Sequence, residues 1–184
     1  MLEGNNGMKL VTASERKVRE WQAMVNIETV SLDIVEIQGT MEEVARDKVM
    51  KAYEQLKEPC VVEDISLCFG DTMLPGPYIK DFLRLDKRVL VEMSQLLGHA
   101  TLYCHIGYHD GQDIHVFCGM LEGRMKLPND DENTKKGNGL DDVFEVDGFT
   151  LGEMTWEQKK RVSHRVKAIE AFLKHMNVKL VNVK

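Results

Sequence analysis

Two adjacent acids, Glu63 and Asp64, close an apolar run that begins at Cys60. Carboxylates at the end of a buried strand suit Mg2+, a hard cation that prefers oxygen donors and is commonly shared with substrate phosphates. In open α/β sheets, ligands gather at the carboxyl ends of strands. The plainer reading of the same pair is a solvated acidic turn. A rigid segment with Pro75, Gly76 and Pro77 follows and leads to Lys80. Thr12, Ala13, Ser14 and Lys17 lie where a first strand turns into a first helix. There, backbone N–H groups, two hydroxyls and a lysine can hold an anion. Lys48 falls on a helix that follows Glu36, and "KKRVSHRV" sets Lys159, Ser163, His164 and Arg165 near the start of the last helix. Taken singly, these are an ordinary N-cap, surface lysines and a solvated helix face.

His105, His109 and His115, with Cys104 and Cys118, flank an Asp110-Gly111 turn. A cross-strand zinc site is one reading. Only His105-x-x-x-His109 has ligand-like spacing, so plain strand packing is preferred. The four cysteines form no CxxC pair, and buried thiols in a reducing compartment are expected rather than disulfides.

The elements that must position these residues follow from periodicity. Residues 8–12 read as a strand, and Val18, Trp21 and Val25 give helical spacing. The stretch "NIETVSLDIVEI" is β-rich and predicts a second strand. Thr40-x-x-Glu43 is a capping box opening a helix that runs to Lys57, with Val44, Val49, Tyr53 and Leu56 as its apolar stripe. Residues 60–64 form a third strand, and 86–97 a helix. Two strands flank Asp110-Gly111, and residues 128–142 form a polar loop. One long helix is expected over 156–175, with 178–183 a final strand or ordered tail. Strand, helix, strand, helix, strand argues for an α/β sheet.

The chain has 184 residues, with a net charge of −6 and 43% hydrophobic residues. That balance is globular, and no global basic field favours a nucleic-acid polymer. No apolar run reaches the ~20 residues of a membrane span. Residues 1–7 are polar and lack the form of a signal peptide. They read as a flexible leader before a single domain over 8–184, with a cytoplasmic location expected.

In this order, the pieces resemble the inosine triphosphate pyrophosphatase family, nearest its eukaryotic branch. The residues that carry this are "VVEDISLCF…LPGPYIKDFL", "EIQG" at Glu36–Gly39 and "FEVDGFTLGEMTWEQKKRVSHR". The resemblance spans about Met8 to Phe172. It implies an α/β fold with a long central mixed sheet flanked by helices, and two lobes with a nucleotide cleft between them. It also implies a homodimer and Mg2+-dependent hydrolysis of ITP, dITP or XTP to the monophosphate and pyrophosphate, with Mn2+ an alternative ion. Residue by residue, Thr12, Ala13, Ser14, Lys17, Lys48, Lys80 and Arg165 would bind the phosphates. Glu36 and Asp64 would hold the metal, with Asp64 orienting or deprotonating the attacking water and Glu63 supporting it. Asn138, Gly139, Leu140, Asp141, Lys159, Ser163 and His164 would meet the base.

The chain departs from the family pattern at several of these positions. Thr12-Ala13-Ser14 stands where the family has Thr-Gly-Asn, and Ile65 where it has Thr or Ser. Asn138-Gly139-Leu140-Asp141-Asp142 replaces Phe-Gly-Trp/Tyr-Asp-Pro, and Gln158 replaces a Glu. Losing an aromatic that stacks on the base removes roughly 1–3 kcal/mol. Two other readings therefore stand beside the first: a catalytically weak nucleotide-binding or interaction module, and the same chemistry on a different modified nucleotide.

Overall fold

The structure, a computed structural model, describes residues 7–84, 86–127 and 139–177. Residues 1–6, 128–138 (most of the expected polar loop, with Asn138) and the expected tail at 178–183 lie outside it. In chain order the elements are β1 (Lys9–Val11), α1 (Glu15–Gln22), β2 (Glu28–Val30), α2 (Met41–Leu56), β3 (Cys60–Phe69), β4 (Pro75–Gly76), α3 (Ile79–Phe82), α4 (Lys87–Leu97), β5 (Ala100–His109), β6 (Ile114–Met125), β7 (Phe144–Val146), β8 (Phe149–Thr150), α5 (Trp156–Val162) and α6 (His164–His175). The fold is mixed α/β. Its sheet order is β2-β1-β3-β5-β6-β7-β8, with β4 added on β3.

The chain divides into two compact units. The first holds residues up to Asp64, Cys104–Gly119 and the chain from Lys167 onward; the second holds Ile65–Tyr103 and Met120–Val166.

In the first unit, β1 pairs parallel with β2 on one side and β3 on the other; Val11 lies opposite both Val30 and Val62. The connection from β1 to β2 moves one way along the sheet, and that from β2 to β3 moves back past β1. Right-handed crossovers therefore put α1 and α2 on opposite faces. The capping box is present: the Thr40 side chain accepts from Glu43 N–H, and the Glu43 carboxylate accepts from Thr40 N–H at 2.8 Å. Val49 and Ala52 of α2 bury against Val11, Cys60 and Val62. Burial of each large side chain is worth about 1.5–3 kcal/mol.

The expected second strand is shorter than its composition predicts. It ends at Val30 because β1, its partner, ends at Val11. Beyond it, residues 31–37 keep the alternation the sequence shows, with Leu32 and Ile34 packed on the core, but make no ladder.

In the second unit, β3 continues past its parallel partner and pairs antiparallel with β4 at Leu67 and Cys68. β6, β7 and β8 form an antiparallel ladder. Phe69, Leu90, Leu102, Phe144 and Leu151 form the core here. Two expectations fail. Residues 139–142 are a 3-10 turn with Leu140, Asp141 and Asp142 buried, not an open polar loop. The single helix expected over 156–175 is broken at Ser163, whose backbone is extended at φ −55°, ψ 127°. Ser163 N–H closes α5 on Lys159 O at 2.9 Å, and its hydroxyl accepts from Val166 N–H at 3.4 Å. A serine competing for helical N–H groups in this way ends one helix and caps the next.

Candidate active site

Glu63 and Asp64 do not end β3; they are its fourth and fifth residues. They are nevertheless the first two positions beyond the parallel ladder, because β1 stops opposite Val62. The two acids thus follow the carboxyl end of β1, not that of β3, and both are buried.

Successive side chains on a strand point to opposite faces, and the partners of the two acids show it. On the α1 face, Trp21 Nε1 donates to Glu63 Oε2 at 2.8 Å, a buried bond. Lys17, four residues earlier on the same helix face, donates from Nζ to Glu63 O at 2.9 Å and lies 3.5 Å from Glu63 Oε1. On the α2 face, Lys48 Nζ lies 3.3 Å from Asp64 Oδ1 and 2.6 Å from Glu36 Oε1. Burial alone would lower the Lys48 pKa, but the charges of Asp64 and Glu36 outweigh it and raise it above the ordinary value. His105, also near Asp64, is pushed below its usual value by burial, opposed by Asp64 and Glu42.

Glu36 and Asp64, distant in sequence, therefore meet at one cationic nitrogen. Two carboxylates drawn to one cation offer the hard oxygen donors that suit Mg2+, which Glu36 and Asp64 would hold. Among the described residues, no group of three or more His, Cys, Asp or Glu side chains could hold a metal by itself. The turn expected to meet phosphate lies between β1 and α1: Ser14 caps α1 by accepting from Lys17 N–H at 3.4 Å, and Ser14 N–H donates to Thr12 Oγ1 at 3.1 Å.

In the second unit, Leu74–Pro75 is a cis peptide and Gly76 has φ +60°, where a Cβ would lie 2.6 Å from Met73 O. This turn delivers Lys80, on α3, as an exposed side chain. Asp141 and Lys159 form a buried ion pair at 2.7 Å. Asp142 pairs with Lys87 at 2.8 Å. The break before α6 buries Ser163, His164 and Arg165 in succession.

The structure thus groups Glu36, Lys48 and Asp64; Lys17 and Glu63; and Asp141 and Lys159. Sequence reasoning missed the Trp21–Glu63 bond and the Lys87–Asp142 pair, for which no spacing gives a signal. It also missed the capping box Thr155-x-x-Gln158, where Gln158 Oε1 accepts from Thr155 N–H at 2.9 Å. The Thr-x-x-Gln spacing itself would have shown that one.

The candidate zinc residues have other contacts. His109 stacks on Tyr53 with ring centroids 3.7 Å apart and accepts from Gly111 N–H at 3.1 Å, and His115 Nε2 is 3.0 Å from Asp110 Oδ2. None of the four cysteines is joined in a disulfide. Cys60, Cys68 and Cys104 are buried as expected, whereas Cys118 is exposed. Burial pushes the Cys60 thiol up to about 11.

With this fold and these acid–lysine groups, the chain belongs to the Ham1 family, whose family model matches residues 8–175. This is the family of the inosine triphosphate pyrophosphatases. A protein of that name from Pyricularia oryzae is 35% identical over 175 residues, covering 89% of each chain. Inosine triphosphate pyrophosphatase 2 of Trypanosoma cruzi is 37% identical over 186 residues, covering 93% of this chain and 92% of its own. Among solved structures, a HAM1 protein from Coxiella burnetii shares the fold at a TM-score of 0.75 and 20% identity, covering 92% of this chain and 98% of its own. The Staphylococcus aureus Ham1 protein matches at a TM-score of 0.71, with the same identity and coverage.

Proposed function

We propose that this chain hydrolyses the non-canonical purine nucleoside triphosphates ITP, dITP and XTP to the monophosphate and pyrophosphate, in Mg2+-dependent sanitation of the nucleotide pool. The observation that carries this is the convergence of Glu36 and Asp64 on Lys48. Their membership of a family of nucleoside triphosphate hydrolases supplies the reaction class.

In this reading, Glu36 and Asp64 hold the ion. When bound with the substrate, the ion held there would supply positive charge to the phosphoryl oxygens. Asp64 orients the attacking water and takes its proton. Lys48, Lys80 and Arg165 offset phosphate charge, and the Thr12-Ala13-Ser14 turn binds phosphate through its N–H groups. Glu63 supports the site indirectly, tying β3 to α1 through Trp21 and Lys17. Gly139, Leu140, Asp141, Lys159, Ser163 and His164 read the purine, together with Asn138. A homodimer and a cytoplasmic setting complete the reading; among the described residues, no helix is long and apolar enough to cross a membrane.

The engagement of the Lys17 ammonium with Glu63 favours a second reading: a module that binds nucleotide with little turnover. Pyrophosphate release from a panel of triphosphates with Mg2+ separates the two. Release from ITP and XTP well above that from ATP supports the enzyme. Nucleotide binding with no release from any triphosphate supports the module.

A further inference from the structure

We propose that Lys87 is a specificity-determining positioning residue, which neutralises Asp142 and so leaves Lys159 to Asp141. The inference rests on the base-reading role proposed above for Asp141 and Lys159.

Asp141 and Asp142 are adjacent in a buried 3-10 turn. Burying a carboxylate is costly unless a cation accompanies it, and two neighbouring carboxylates repel. Each has its own lysine: Lys159 on Asp141 at 2.7 Å and Lys87 on Asp142 at 2.8 Å. Asp142 brings a second anion beside Asp141. Lys87, the first residue of α4, offsets it from another part of the chain.

The turn has little room to relax. Gly152 N–H donates to Asp141 O at 2.8 Å, and a Cβ at Gly152 would lie 3.3 Å from Asp142 Oδ1. Without Lys87, the Asp142 carboxylate stays buried and competes for Lys159. That draws the ammonium away from Asp141, and the purine meets a misdirected lysine. Lys87 needs no contact with substrate for this.

The test is the ratio of kcat/KM for ITP to that for ATP in the full chain with Mg2+. Lys87→Met, and Lys87→Gln as a second uncharged variant, should lower the ratio about tenfold, mostly through KM for ITP. Lys87→Arg should keep it within about threefold, and Lys87→Met combined with Asp142→Asn should restore it, because the competing charge is gone. A merely structural pair would lower Tm and leave the ratio alone. An active wild type whose ratio does not move in Lys87→Met, or whose double variant stays as poor as the single, overturns the inference but not the enzyme. A wild type that releases no pyrophosphate from any triphosphate overturns both.

Discussion

Glu63 and Asp64 are neighbours on β3, yet their side chains serve opposite faces of the sheet. Glu63 is bound by Trp21 of α1, and Asp64 is in contact with Lys48 of α2. An acidic pair that reads in sequence as one site is two devices, one tying a helix down and one that, in the function proposed above, faces the phosphate chemistry.

Asp64→Asn and Glu36→Gln test the second device. Each keeps the size of its residue and removes a negative charge beside Lys48. Pyrophosphate release from ITP should fall by about 10²–10⁴ for Asp64→Asn. The Mg2+ concentration giving half-maximal rate should rise for Glu36→Gln. A rate within twofold of wild type in Asp64→Asn, or an unchanged half-maximal Mg2+ concentration in Glu36→Gln, would remove the role assigned to that residue.

Trp21→Phe tests the first device. The substitution keeps an aromatic against Phe172, whose ring centroid is 5.8 Å away, and deletes the N–H that Glu63 accepts. A buried acceptor that loses a donor costs about 1–3 kcal/mol. Urea unfolding should show that loss while kcat for ITP falls far less than in Asp64→Asn. Equal losses of activity would make Glu63 part of the chemistry instead.

These expectations show what the sequence made legible. Hydrophobic periodicity and the Thr40 capping box gave α2 correctly, and the Asp110-Gly111 turn gave the β5–β6 hairpin. Strand ends were harder to read, because they depend on partners. β2 stops where β1 stops, and β3 runs on because β4 takes over its free edge. The break at Ser163 was hidden by an apolar spacing that continues across it. The β7–β8 hairpin turns at Asp147-Gly148, both at positive φ, a local signal of the same kind as Asp110-Gly111. Ion pairs such as Lys87–Asp142 join residues that no local pattern relates.

At the hairpin turn, acid should weaken the fold in a defined window. Asp110 accepts from Gln112 and Asp113 N–H, each at 2.7 Å, and faces His115. The backbone N–H of Asp113, then that of Gln112, then His115 hold its carboxyl well below the usual carboxylate range. Because the folded value lies under the unfolded one, this stabilisation is complete above about pH 4 and is lost as pH falls from there through the folded value. Asp110→Asn should therefore lower Tm at pH 7, with the gap to wild type narrowing below about pH 4. A gap independent of pH would assign the turn's stability to something other than this charge.

Gly123 tests the close approach of β6 to β7. An added Cβ would lie 2.6 Å from Phe144 Cε1 and meet the backbone oxygen of Glu145. Gly123→Ala should cost about 1–3 kcal/mol in denaturant unfolding. Wild-type stability in that variant would mean that β7 yields freely.

Each compact unit is stitched from separated stretches of polypeptide: the first needs residues up to Asp64, Cys104–Gly119 and the segment from Lys167, and the second needs what lies between. Neither can be finished on the ribosome before nearly the whole chain has emerged, so the usual order of amino-terminal domain first does not apply. A gene fragment ending before α6 would leave the first unit without a piece it needs, and its exposed apolar edges would invite aggregation instead of a smaller working protein.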